Sequence, residues 1–349
     1  MKKNNLEFNN TQIAFSHKSD YELKRAYYLF KLLSLGSISK IGRKALKLLV
    51  KLNFPIDLLI LKTIYAQFCG GRDIFECEEV ILNLKKNGVY SILDYSIEGS
   101  ISEIDFEISM NKCLNILSEC EAKNLSKFIV FKPSAVGRFS LYKKVSSKDT
   151  LSFEEESEWK DIQTRFEKIC QESSKKNIKV LVDAEESWIQ SAIDELVLQM
   201  MKKYNSKNAV VFNTIQAYRR DRFEYLKQLH QSNSGQFKIG VKLVRGAYME
   251  KERKRALRYN YSSPICDNKE QTDQIFNNSL EFIISNIDDF ELFIGSHNED
   301  SNRLSTKLLK KYMIENSDDR VWFSQLYGMS DNISFSLANN GYNVAKYLP

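Results

Sequence analysis

From Gly88 onward the chain repeats one pattern eight times: a short apolar or β-branched run, then a longer segment that mostly has helical periodicity. The runs are Val89 to Tyr95, Phe128 to Phe131, Ile178 to Val182, Ala209 to Phe212, Phe237 to Val244, Leu292 to Ile294, Val321 to Phe323 and Tyr342 to Tyr347. Trp159 to Glu172 and Trp188 to Lys202 are typical of the intervening amphipathic stretches. Strands that follow one another through helical crossovers pair in parallel, and eight such units point to a closed (β/α)8 barrel more than to an open doubly wound sheet. No GxGxxG follows any run, which counts against the open dinucleotide-binding alternative. Gly99 to Leu125 is expected to hold the first barrel helix, and residues 133–158 read as a long polar loop with helical pieces over the mouth.

The region before Gly88 reads differently. Residues 1 to about 15 are polar and expected to be extended. Tyr21 to Leu35 has helical apolar spacing, with Asp20 as N-cap and Gly36 as stop. Ile41 to Leu52, Ile56 to Phe68 and Glu78 to Lys86 look helical as well. The division is therefore a helical arm over 1–87 and a barrel, lacking its last helix, over 88–349. Leu46 to Tyr65 is the most apolar stretch, but Lys47, Lys51, Asp57 and Lys62 interrupt it. It reads as helices around Pro55 with a face suited to a membrane surface, and not as a spanning helix.

Composition excludes several classes. A net charge of +6 from 51 basic and 45 acidic residues is well short of a nucleic-acid-binding balance. The six cysteines show no CxxC spacing and no Cys/His cluster with zinc-site spacing, so no metal is expected and free thiols in a reducing compartment are the simplest reading. MKKNNLEFNN lacks the apolar core of a signal peptide. The expectation is a cytoplasmic protein, with peripheral contact at the inner membrane left open and no obligate protein partner in view.

In a barrel of this kind the site is assembled from residues at the carboxyl ends of the strands. Those ends carry Asp94 and Glu98, then Lys132, Asp183 with Glu185 and Glu186, and Asn213, Thr214 and Gln216. They continue with Lys242 and Arg245, Ser296-His297-Asn298, Gln325-Leu326-Tyr327 and Tyr347. Lys242 lies inside the apolar run of strand five, where a charge needs a local anionic or polar partner. Asp183 and the two glutamates can be read as helix caps, and so can Ser296-His297-Asn298. The trio Lys132, Lys242 and Arg245 is harder to dismiss, because three cations at neighbouring strand ends imply an anionic ligand. No Ser-His-Asp or Cys-His pairing presents itself as a nucleophile system.

All but the first of these ends lie in or beside seven motifs: FKPSAVGR at 131–138, VDAEESW at 182–188, NTIQAY at 213–218, VKLVRGAYMEKE at 241–252, SHNEDS at 296–301, QLYGMSD at 325–331 and KYLP at 346–349. Together, and in this order, they resemble the FAD-dependent proline dehydrogenases, the monofunctional type in particular. The resemblance implies a distorted (β/α)8 barrel with FAD at its mouth. It implies oxidation of L-proline to Δ1-pyrroline-5-carboxylate, with the electrons passed to a membrane quinone. By match to the motifs, Lys132 would help hold the proline carboxylate, Asp183 would lie beside substrate and flavin, and Gln216 would hydrogen-bond the flavin ring. Lys242 would sit near flavin N5 and the ribityl chain, and Val244, Arg245, Gly246 and Ala247 would contact the cofactor. Tyr248 and Leu326 would wall the pocket and Tyr347 would pack on the proline ring. Ser296, His297 and Asn298 would reach the adenosine half, and Glu98 matches an acid that pairs with a carboxylate-binding arginine.

In the family a helix with two consecutive arginines follows KYLP, and this sequence stops at Pro349. The resemblance therefore carries the expectation that these 349 residues bind proline weakly and lose FAD readily. The alternatives are a relative acting on hydroxyproline and an impaired barrel that only binds flavin.

Overall fold

The computed structural model describes residues 6–34, 61–94 and 102–349. Eight parallel strands close into a barrel in sequence order. They are β1 Val89–Asp94, β2 Phe128–Phe131, β3 Lys179–Val182, β4 Val211–Gln216, β5 Ile239–Val244, β6 Phe290–Gly295, β7 Val321–Leu326 and β8 Val344–Leu348. β8 closes the ring against β1, with Ile92 paired to Tyr347.

Side chains alternate across each strand, so one face fills the barrel and the other meets the helices. The inner set is a small aromatic-rich cluster that includes Ile92, Phe128, Leu181, Phe212, Phe293, Trp322 and Tyr347. The rings interlock edge to face: Phe128 and Trp322 have centroids 4.9 Å apart, Phe128 and Phe293 5.2 Å. The outer set, with Val180, Val241, Ile294 and Phe323, joins the helices in the larger core. This plug fills the amino-terminal end. Further along the inner face most strands present polar or ionisable side chains, with Tyr347 at the boundary between plug and cavity, and those make the site.

Local sequence explains the helices. Glu103–Lys123 and Phe153–Lys176 both open on a capping box, Ser102 with Asp105 and Ser152 with Glu155. Both close on an asparagine in the left-handed region, Asn124 and Asn177.

Several expectations are corrected. Residues 133–158 are not a long loop. They hold a turn at Pro133–Ala135, the helix Phe139–Ser147 and the start of Phe153–Lys176. Leu141 and Tyr142 are fully buried, and the Tyr142 hydroxyl donates to the Pro133 carbonyl at 3.0 Å, so two apolar anchors order a segment that is polar on average. The first 15 residues are not wholly extended either: Thr11–Phe15 is helical, capped by Asn10, and Phe8 is buried. The cap of Asp20–Ser34 is Ser19, whose backbone and hydroxyl both donate to Glu22, and not Asp20. Strand four begins and ends later than its apolar run, because Asn213, Thr214 and Gln216 find hydrogen-bond partners within the fold. The expected helices within 35–60 lie outside the described residues, as does Glu98.

Candidate active site

The inner-face side chains beyond the aromatic plug open into a cavity of about 740 Å³ at the carboxyl ends of the strands. Its walls include Asp94, Lys132, Asp183, Thr214, Gln216, Lys242, Val244, Arg245, Gly246, Ala247 and Tyr248, then Ser296, His297, Asn298, Ser324, Leu326 and Tyr347. The expected site residues thus meet in one place, Glu98 excepted.

At the cavity floor sits a three-residue centre. Lys242 projects inward from β5, and its Nζ donates to Asp183 Oδ1 at 2.5 Å and to the Tyr347 hydroxyl at 2.5 Å. Its ammonium also lies 4.5 Å from the Tyr347 ring centroid. The partner that an inward lysine requires is therefore supplied by β3 and β8 together. Burial, with the carboxylates of Asp183 and Asp94 nearby, holds the Tyr347 phenol well above its ordinary pKa. Tyr347 therefore stays neutral, and because it accepts from Lys242 it keeps its own O–H to donate.

Arg245 lies beyond the end of β5 and is fixed from three sides. It donates to Asp273 Oδ1 at 2.8 Å, to the Ser296 hydroxyl at 2.8 Å and to the Ser301 hydroxyl at 2.9 Å, and its guanidinium stacks 4.4 Å from the Phe276 ring. Burial alone would raise the Asp273 carboxyl, but hydrogen bonds from Lys269 and Arg245 outweigh it and hold the group below its usual range. The charge of two of the three expected cations is thus matched within the fold. Lys242 and Arg245 already have protein carboxylates, so the site is closer to electroneutral than the sequence implied.

The helix-cap readings divide. Asn298 does cap a helix, accepting from the Ser301 amide at 2.9 Å. Glu186 stands at the N-cap position of the helix Ser187–Tyr204, but its side chain makes no capping hydrogen bond. The cap of that helix comes from Glu252, fully buried on the helix Met249–Tyr259, which accepts from the Ser187 amide and hydroxyl at 2.5 and 2.7 Å. Glu185 instead accepts from the backbone and hydroxyl of Ser134, next to Lys132, and burial raises its pKa. Asn213 faces outward and bonds Asp194, so it stands outside the cavity.

Two features fit a planar polar cofactor. Gln216 is buried, and its Oε1 has no hydrogen-bond partner within the protein; a buried acceptor left bare is costly unless a ligand supplies the donor. Gly246 has φ +120°, and a Cβ there would lie 2.5 Å from the Tyr218 ring, so only glycine lets the backbone line the cavity at that point. Among the described residues no group of three or more His, Cys, Asp or Glu side chains could hold a metal ion. No helix among them is long and apolar enough to cross a membrane.

Sequence reasoning missed Asp273 and Ser301 as the anchors of Arg245, and Lys346. Lys346 belongs to an outward-facing position of β8 and is fully buried. It opens the KYLP motif and stands two residues after Val344 in an apolar strand, a charge in an apolar run like Lys242, but neither signal said what it would pair with.

The family model for proline dehydrogenase matches residues 77–349. A carbapenem antibiotics biosynthesis protein, CarD, from Pectobacterium carotovorum subsp. carotovorum is 33% identical over 285 residues, covering 81% of this chain and 73% of its own. Mitochondrial proline dehydrogenase 1 of Dictyostelium discoideum is 31% identical and covers 99% of this chain and 68% of its own. A hydroxyproline dehydrogenase of Xenopus laevis is 27% identical, covering 96% and 80%. Among solved structures, proline utilization A of Bdellovibrio bacteriovorus superposes on 98% of the chain with a TM-score of 0.72 at 19% identity, a likeness of fold, and the chain spans 34% of that protein. With the motifs, the barrel and the relatives that match most of this chain in agreement, it belongs to the proline dehydrogenase family of oxidoreductases.

Proposed function

We propose that this protein oxidises L-proline to Δ1-pyrroline-5-carboxylate, with FAD as its cofactor and a membrane quinone as the final acceptor. The observation that carries the reading is the Lys242–Asp183–Tyr347 centre beside the bare Gln216 Oε1, at the floor of a cavity of about 740 Å³. FAD, when bound, supplies the two-electron acceptor. Gln216, Lys242, Val244, Arg245, Gly246 and Ala247 are the residues to hold its ring and chain, with Ser296, His297 and Asn298 toward the adenosine.

The chain's own residues would do the rest. Lys132 offers a cation to the proline carboxylate. Asp183 holds Lys242 in place and lies beside the substrate. Tyr347 keeps a neutral O–H at the floor, and its ring gives the pyrrolidine an apolar contact. Leu326 and Tyr248 wall the cavity against water. Proline loses a hydride and an N–H proton as its ring C–N bond becomes C=N. The apolar walls favour a five-membered ring, and the carboxylate grip orients it.

We also propose the division into an arm over 1–87 and a barrel over 88–349, and a cytoplasmic location with peripheral contact at a membrane. The relative acting on hydroxyproline keeps the 4-hydroxylated imino acid as a second substrate to test. The test is an absorbance spectrum of the purified protein, followed by L-proline without oxygen. A flavin band that bleaches supports the reading, and parallel turnover with hydroxyproline ranks the two substrates. A flavin band that proline leaves unchanged would overturn the substrate assignment, and a protein that takes up no flavin would overturn the whole reading.

A further inference from the structure

Leu326, the last residue of β7, lines the cavity, and the segment it opens, residues 326–331, is held from both sides. On the cavity side, the Leu326 amide donates to His297 Nε2 at 3.5 Å, and the Ser330 hydroxyl pairs with His297 Nδ1 at 2.9 Å. Ser330 adopts φ +50°, a conformation uncommon for a residue with a side chain, and such outliers persist only where surroundings over-determine them.

The outer side supplies that determination. Lys346 is completely buried, and its Nζ donates to the Met329 carbonyl at 2.5 Å, to the Leu326 carbonyl at 3.4 Å and to Asp331 Oδ1 at 2.7 Å. Every acceptor of this lysine is on the one segment. The other Asp331 oxygen receives a second ammonium, Lys18 of the N-terminal arm, at 2.6 Å. The arm touches the segment again at Gln67, whose Nε2 donates to the Gly328 carbonyl at 2.8 Å. Gly328 has φ +73°, and a Cβ there would lie 1.9 Å from the Gln67 carbonyl oxygen, so arm and segment are in direct backbone contact.

A buried lysine is costly unless its proton donors are matched, and here the carboxylate that matches it is shared with the arm. We infer that Lys18, Asp331 and Lys346 form a positioning relay through which docking of the N-terminal arm fixes Ser330 and, with it, the cavity-wall residues Leu326 and His297. The arm is then a working part of the site, although none of Lys18, Asp331 and Lys346 lines the cavity.

The experiment is hydrogen exchange of the full chain as Lys18→Met, with Lys18→Arg as rescue and Lys24→Met, an exposed arm lysine, as control. Amides of 326–331 are expected to exchange on the order of tenfold faster in Lys18→Met, the factor expected when one charge-assisted bond is lost, and to recover in Lys18→Arg. Lys24→Met stays as wild type. A parallel kinetic measurement, which rests on the proline reading above, is expected to show a raised KM for proline with kcat little changed. A general loss of stability would instead accelerate exchange everywhere and leave KM alone. Unchanged protection of 326–331 in Lys18→Met overturns the relay whatever the substrate proves to be. If Lys18→Met does not fold, Gln67→Ala tests the same docking from its second contact, with the same two outcomes.

Discussion

At the residue scale the polar contacts of the cavity floor are concentrated in Lys242. One ammonium satisfies a carboxylate and a phenol from two other strands, so removing it leaves both partners unmatched in a mostly buried place. Lys242→Met is expected to lower kcat/KM for proline at least about 100-fold, since each charge-assisted bond of this type is worth about 1.5–3 kcal/mol. Steady-state kinetics on the flavin-loaded protein checks it, and a loss under tenfold would show that the lysine is not part of the working centre. Gln216 makes a sharper case, because its two roles pull in opposite directions. With its Oε1 bare, the glutamine costs the ligand-free protein desolvation. Gln216→Leu is expected to leave the melting temperature of the flavin-free protein equal or higher, while FAD affinity falls about five- to tenfold, the value of one hydrogen bond. A variant that melts earlier and binds FAD normally would contradict both halves.

At the element scale, the motif over residues 241–252 joins two helices as well as lining the cavity. Glu252 reaches from the helix Met249–Tyr259 to the first turn of Ser187–Tyr204 and satisfies two donors there. An N-terminal cap is worth about 1 kcal/mol and a negative charge there adds to it, and a buried uncharged replacement leaves donors partly unmatched. Glu252→Ala is expected to cost about 2 kcal/mol or more of stability, seen as an earlier melt with the substrate KM little altered. An unchanged melt would mean that water replaces the cap at no cost. Part of what reads as a catalytic motif is thus structural, which sequence alone does not separate.

At the scale of the whole molecule, the arm and the barrel are joined around Asp331, and His17 adds a pH dependence. His17 stacks on Phe335 with centroids 3.8 Å apart, and burial lowers its pKa from 6.5 to about 4. The folded state thus resists a proton that the unfolded chain accepts. Above about pH 6.5 both states are neutral and the group contributes nothing to the slope; below it stability falls until the folded pKa near 4 is reached. The slope is at most about 1.4 kcal/mol per pH unit, the value for a single proton. Melting temperature measured from pH 7 to pH 4 is expected to fall, and His17→Phe to flatten that limb. If His17→Phe follows the wild-type curve, acid sensitivity comes from other groups.

The sequence by itself determined the barrel and most of the cavity wall. Eight apolar runs at crossover spacing leave few ways to bury so many strands, and Lys132, Asp183, Gln216, Lys242 and Tyr347 stand at or near the carboxyl ends of those runs, where a barrel assembles its site. It also required a partner for Lys242 without saying which. Only the tertiary structure decided that Asp183 and Tyr347 are that partner, that Asp273 neutralises Arg245, and that Lys346 answers to Asp331 and the arm. These pairs join residues from 15 to 105 positions apart in the chain. Pattern and propensity act over a few residues, whereas a charge is matched by whatever the closed barrel brings within about 3 Å, the reach of a hydrogen bond.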